Sequence, residues 1–311
     1  MKRRYLLVFG IFLLFFSCNK FKGSQEIPAY LRIEPWSLVT DYEREGAATH
    51  AITDAWVYVD GNLHGCFELK QHNDGVYAMI PILEHGEHNL QIYPGVKLNG
   101  ISSTRIQYPC YKPYKIKRML KEGKVDTISP LTTYYSIDST SLKFQLMEDF
   151  EDVNNIRLYI DTNFSHAVRQ RVDHNVDTNA WLDPVDPINH HWSGHIHLGD
   201  SIHKFSLVSG EITNIPDPGN YILLELDHKC DEDFLFGMYL FSSQYGLVDK
   251  ELVYVKGSDT WKKIYLNLSP TLSDNYHALY YKFYMKGIVD TITEADYYFD
   301  NVKLVYLVRN Y

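Results

Sequence analysis

The chain has 311 residues, enough for two domains of ordinary size, and 45% are hydrophobic, so each could bury a core of its own. Its formal charge is −9, from 39 acidic against 30 basic side chains, which excludes the basic footprint that nucleic-acid binding requires. Tyrosine is enriched, 25 against 5 Trp, a bias that suits pleated, half-buried sheet surfaces.

At the amino terminus Lys2, Arg3 and Arg4 precede an almost unbroken apolar run from Tyr5 to Phe16. That run is about a dozen residues, short of the roughly 20 needed to span a bilayer. It stops at Ser17-Cys18, and the polar Asn19, Lys20 and Lys22 follow. The arrangement resembles a bacterial lipoprotein signal, with Ser17 as the small residue before a lipidated Cys18. Phe15-Phe16 departs from the Leu and small residue usual at those places, and an ordinary secretory peptide with an incidental cysteine is the blander account. The resemblance implies a leader over residues 1–17 and a lipid-anchored Cys18 with a polar tether over 18–26. Asn19 is not the Asp that retains lipoproteins in the inner membrane, so the resemblance places the anchor in the outer membrane. Loss of the leader removes three positive charges and leaves the body more acidic. No later stretch could span a membrane. Cys66, Cys110 and Cys230 remain; Cys66 and Cys110 are the plausible disulfide pair in an oxidising compartment. Two small core residues on separate strands is the alternative.

From Ile27 the pattern becomes short strands. Ala29-Tyr-Leu-Arg-Ile33 alternates, and Ala55-Trp-Val-Tyr-Val59 runs into Asp60-Gly61-Asn62, a hairpin turn signal, before Leu63 to Leu69 returns. Glu84 to Glu87 separates Val76–Leu83 from His88–Tyr93, and Lys121 to Lys124 separates Tyr114–Leu120 from Val125–Ile128. Turns about every ten residues without a helical period mean an all-β unit over 27–130. The stretch from Ala55 to Gly65, with Ile82 to Leu90 downstream, resembles the small immunoglobulin-like or PEGA-like modules of bacterial envelope proteins. The run from Ile27 to Pro109 is also similar to uncharacterised lipoproteins of Bacteroidota, which implies a two-membrane envelope and no known activity.

Ser129-Pro130 and the Thr/Tyr/Ser-rich segment 131–141 read as a linker. The second domain, 142–311, carries Glu148-Asp-Phe-Glu-Asp152, Trp192-Ser-Gly-His-Ile-His-Leu198, Trp261-Lys-Lys-Ile-Tyr-Leu266 and Asp300-Asn-Val-Lys-Leu304 among its strand-like segments. This order resembles jelly-roll modules of the carbohydrate-binding and galactose-binding-like kind. The expected fold is therefore all-β: two β-sandwich domains after a lipoprotein signal peptide, a small Ig-like one and a larger jelly roll.

Several side chains are candidates for chemistry. Trp181 lies in a Pro-rich loop beside Asp183 and Asp186, the composition that stacking on a sugar ring would use, with carboxylates accepting hydroxyl protons. A loop pinned to the core by its Trp explains the same residues. Trp56 and Trp261 sit inside alternating strands and are expected in the core. In jelly rolls of the resembling kind the first and last strands adjoin and often hold a structural Ca²⁺, which implies Glu148, Glu151 and Asp300 as ligands. Solvated acidic turns are the alternative. His195 and His197 alternate along one strand and share a face, so they could reach a metal with His203; a polar surface strand offers the same spacing. Lys112, Lys115, Lys117, Arg118, Lys121 and Lys124 suit an edge strand, or else anionic lipid headgroups. Asp126-Thr-Ile, Asp138-Ser-Thr and Asp290-Thr-Ile resemble the short O-glycosylation motif of Bacteroidota.

No G-x-S-x-G, H-E-x-x-H or P-loop pattern occurs, so no catalysis is expected. The reading is a non-catalytic outer-membrane lipoprotein acting as a binding or assembly module, with a protein partner in an envelope or secretion complex. The alternative is a glycan-binding accessory protein using the jelly roll. No cofactor is expected beyond a structural Ca²⁺.

Overall fold

The computed structural model describes residues 26–137, 142–199, 201–214, 216–290 and 293–308. The expected leader, Cys18 and the tether to residue 25 lie outside the described residues, as do positions 138–141 of the expected linker. No helix among the described residues is long and apolar enough to cross a membrane.

The chain is all-β. Its first half builds two sheets around one core. One sheet joins β1 (Ala29–Ile33), β5 (Lys70–His72), β6 (Gly75–Ile82) and β10 (Val125–Ile128) in the order β10-β1-β6-β5. The other joins β3 (Asp54–Val59), β4 (Asn62–Glu68), β7 (Gly86–Lys97), β8 (Arg105–Gln107) and β9 (Tyr114–Leu120), with β7 at its centre. Alternation decides the faces: Leu31, Ile33, Ile80 and Ile82 of one sheet meet Ala55, Val57, Leu90 and Ile92 of the other. The turn at Asp60-Gly61 has positive φ at both residues and closes the β3–β4 hairpin as the sequence predicts. The Glu84–Glu87 and Lys121–Lys124 turns do something different. Each carries the chain from one sheet to the other, because β6 and β7, and β9 and β10, belong to different sheets.

The expected disulfide is not formed; Cys66 and Cys110 are free. Cys66 pairs across the ladder with Trp56 on the outer face of β3–β4, whereas Cys110 is fully buried in the core beneath. The two thiols lie on opposite sides of a sheet. Trp56 is half-buried on that outer face rather than a core residue.

The second half is a jelly-roll β-sandwich of two antiparallel sheets. The first has the order β14 (Arg169–Asp173), β15 (Trp192–Leu198), β22 (Ala295–Leu307), β17 (Tyr221–Cys230), β20 (Ser258–Asn267), with β12 (Leu142–Glu148) beside the far end of β22. The second has the order β13 (Leu158–Ile160), β16 (Lys204–Ser209), β21 (Tyr280–Ile288), β18 (Phe234–Ser242), β19 (Gly246–Val255). Ile196, Leu224, Phe299 and Leu304 of the first face Phe205, Phe236, Phe283 and Met285 of the second.

The outer face of the first sheet positions the candidate site. Along β17, Leu223, Glu225 and Asp227 point away from the sandwich core, alternating with Leu224, Leu226 and His228. On β22 a bulge opposite Leu226 interrupts the alternation, with Asn301 at φ 48°. It puts both Asp300 and Lys303 on the outer face, which a regular strand could not do at a spacing of three. Leu223, Tyr265 and Val305 of this face pack into the core of the first domain. Within the segment 131–141, read as a linker, the described residues 131–137 are built into this junction. β11 (Leu131–Thr133) pairs parallel with β2 (Ser37–Val39), and Tyr134 is buried at the junction. The apolar area hidden there is what holds the halves together.

Candidate functional site

A group of four buried charges marks the join of the two domains. Glu225 is fully buried; it accepts from Tyr108 Oη at 2.7 Å and from Tyr134 Oη at 2.8 and 2.9 Å. Lys263 Nζ stands 3.3 Å from Glu225 and 3.6 Å from Asp227, and donates to Thr49 Oγ1 at 2.8 Å. Lys303 donates to the Ala47 carbonyl at 2.6 Å, and burial lowers its pKa to about 8. Two carboxylates matched by two ammonium groups, each hydrogen-bonded, is the arrangement that makes buried charge tolerable. Gly46 lets the first domain come this close: its φ is +71°, and a Cβ there would stand 2.9 Å from Lys303 Cε.

A cavity of about 260 Å³ opens beside this group. One wall is the indole pair of Trp181 and Trp261, in edge-to-face contact with centroids 5.6 Å apart and planes inclined at 77°. Ala48, Thr49 and His50 of the first domain complete the opposite side. Asp227 is 2% exposed and lines the cavity, and its Oδ2 has no hydrogen-bond partner; Trp181 Nε1 is likewise buried without one. Burial, countered by Lys263, raises the Asp227 pKa. Burial, reinforced by Lys263, lowers that of His50 and keeps its imidazole neutral at pH 7.

The loop 174–191 that carries Trp181 is shaped by its own aspartates. Asp173, Asp177 and Asp183 each accept, through Oδ1, the backbone N–H two residues on, the signature of Asx turns. The Trp181 N–H donates to Ser193 Oγ at 2.7 Å, and Ser193 Oγ donates to Asp300 Oδ2 at 3.1 Å. Trp261 reaches the cavity because it shares the outer face of β20 with Lys263, and its Nε1–H donates to the Asn179 carbonyl at 2.9 Å.

Of the residues the sequence singles out for a sugar, the structure brings Trp181 and Asp183 to this cavity. It turns Asp186 back on its own loop, where Asn189 Nδ2 donates to both carboxylate oxygens at 3.1 and 2.9 Å. Trp261, expected in the core, is a wall of the cavity. Asp227, Thr49 and His50 were not legible as site residues, since they come from the other domain or from a strand position that reads as core.

The carboxylates of the expected Ca²⁺ set, Glu148, Glu151 and Asp300, each accept hydrogen bonds from protein donors. Both oxygens of Glu148 accept backbone N–H groups, from Phe150 at 2.8 Å and from Arg157. Glu151 accepts the Trp192 N–H at 2.9 Å, and burial raises its pKa to about 7. Asp300 accepts from Asn301 N and Ser193, so it holds the Trp181 loop instead. Among the described residues no group of three His, Cys, Asp or Glu side chains is placed to hold a metal ion. His195 Nε2 and His197 Nδ1 converge on Asp296 Oδ1 at 2.8 and 2.9 Å, while His203 lines a separate hollow beside Phe164. The lysine-bearing strand β9 is an edge, as the sequence predicts, and Lys117 pairs with Glu87 at 2.9 Å and Arg118 with Asp126 at 3.2 Å.

No protein-family model and no curated protein matches the chain. Solved structures similar to it include carbohydrate-binding modules from the β-sandwich superfamily, at 10% identity over 81% of this chain and 84% of the other, TM-score 0.37. The C-terminal family 22 carbohydrate-binding module of Clostridium thermocellum Xyn10B is similar at 11% identity, 53% and 93% coverage, TM-score 0.35. A cyclase from Fischerella sp. TAU is similar at 10% identity, 55% and 100% coverage, TM-score 0.38. Likenesses this distant say nothing about ligand or activity.

Proposed function

We propose that the protein is a non-catalytic glycan-binding module that takes a single sugar ring against the edge-to-face indole pair of Trp181 and Trp261. The observation that carries this reading is the inclined indole pair flanking a cavity whose floor holds the unpartnered Oδ2 of Asp227. A pyranose presents apolar C–H faces and polar edges, so it can cover an indole while a hydroxyl donates to the buried carboxylate. The volume, about 260 Å³, falls just below the roughly 300–1,000 Å³ of drug-sized pockets, which suits one ring rather than several. Affinity electrophoresis in soluble polysaccharides tests this. Trp181→Ala and Trp261→Ala should each lose the retardation of the wild type while folding normally. Retention of full retardation in both variants would remove the site.

A second reading, docking to an envelope protein, draws on the same loop's outer side. Val176, Val185 and Ile188 stand 88%, 80% and 80% exposed there, an unusual concentration of apolar surface. Val185 also lines the cavity, so the test replaces only Val176 and Ile188 with Ser, which should leave retardation unchanged under the glycan reading. Under the docking reading it should abolish cross-linking of the tethered protein to a partner in intact cells.

A further inference from the structure

The cavity is not a property of the jelly roll alone. Its floor and one wall belong to the sandwich, but Ala48, Thr49 and His50 of the first domain close it, and Thr49 is tied to the floor through Lys263 at 2.8 Å. These three residues follow Gly46 and Ala47, the points where the first domain touches Lys303, so their placement is set by the same buried charges that join the domains. The polar groups of the cavity also have a definite sense. Lys263 is taken up by Thr49, Glu225 and Asp227. One oxygen of Asp183 accepts the Val185 N–H at 2.7 Å. What remains at the bottom is an acceptor, Asp227 Oδ2, without a protein donor, while the unpartnered Trp181 Nε1–H lies on the wall.

Resting on the glycan reading above, we infer that the first domain completes the sugar site through Thr49 and His50, and that Asp227 selects a neutral, hydroxyl-bearing ring over an acidic one. A hydroxyl supplies the missing donor at Asp227 Oδ2. A uronate would bring a third carboxylate against the buried Asp183 and Asp227, a like-charge contact. Lys262 at the rim cannot offset it, since exposed ion pairs contribute little.

The test uses the whole chain in affinity gels containing a neutral β-glucan, a neutral galactomannan or alginate, with melting temperature as the check on folding. The wild type should be retarded by a neutral polymer at least tenfold more strongly than by alginate. Thr49→Val and His50→Ala should each weaken neutral binding several-fold with little change in melting. Asp227→Asn should narrow the neutral-to-alginate ratio toward one. If Asp227→Asn fails to fold, the Thr49 and His50 variants still decide whether the first domain takes part. Full binding by both, while Trp181→Ala loses it, would overturn this inference and leave the glycan reading standing. An unchanged ratio in a folded Asp227→Asn would overturn the selectivity. Retardation of the wild type by alginate alone would do the same, and by none of the polymers would remove both readings.

Discussion

His228 shows how a single buried group sets the response to acid. It points into the sandwich core against Phe234 and Phe299, its Nδ1 has no partner, and burial lowers its pKa to about 4. Unfolded, the ring titrates near 6.5, so between pH 6.5 and 4 the unfolded chain binds the extra proton. Stability from this residue is present above pH 6.5 and is lost as the pH falls toward 4, by about 3 kcal/mol in all. Glu151 acts in the opposite sense: its carboxyl is raised to about 7, so its contribution is present below 4.5 and lost as the pH rises through 7. The whole-protein profile mixes the two, and the difference between wild type and His228→Leu isolates the first. Urea unfolding at pH 7 and at pH 4.5 should show the variant losing much less stability than the wild type. Parallel losses would mean that the buried imidazole is not the group titrating. The tethering of Trp181 through Ser193 to Asp300 belongs to this scale as well. The acidic residue was visible in the sequence, but its partner and its role were not, because a carboxylate's hydrogen bonds depend on which backbone folds over it.

At the scale of elements, β17 and β22 carry the argument. In β17 Leu224 and Leu226 face one side and Leu223, Glu225 and Asp227 the other. What alternation could not say was that the polar side would be buried. A strand reading hydrophobic-in, polar-out normally has its polar face in water, yet Glu225 and Asp227 are covered by Tyr108, Tyr134 and the segment around Thr49. β22 was less legible still. Asp300 and Lys303 would fall on opposite faces of a regular strand, and the bulge at Asn301 reverses that parity. Asn tolerates the left-handed region, so the residue type permits the bulge without announcing it. The Glu84–Glu87 and Lys121–Lys124 segments make the same point for turns. Their composition marks a reversal, but whether the reversal makes a hairpin or changes sheets depends on which strands pair afterwards.

For the whole molecule, the question is whether the halves behave as two domains or as one. Leu142, Leu223, Tyr265 and Val305 of the sandwich lie in the same apolar cluster as Leu31, Val57 and Ile92 of the first domain, with Glu225 and Lys303 enclosed between them. Separating the halves would bring that apolar face and four buried charges into water at once. The protein should accordingly unfold in one transition, and limited proteolysis should not release a stable fragment beginning near residue 142. Two resolved transitions in calorimetry, with a protease-resistant C-terminal half, would show that the shared core contributes little.

The sequence by itself determined the all-β class, the Asp60-Gly61 hairpin and the presence of Trp181 with Asp183 on a turn-rich loop. Those follow from period-two alternation and from local turn chemistry, which act over a few residues. The pairing of Trp181 with Trp261, the buried floor at Asp227 and the closure of the cavity by Thr49 and His50 were decided only by the tertiary structure. They depend on contacts between residues far apart along the chain, on a bulge that shifts strand parity and on one domain covering the polar face of the other. Each is a consequence of packing, which no local pattern records.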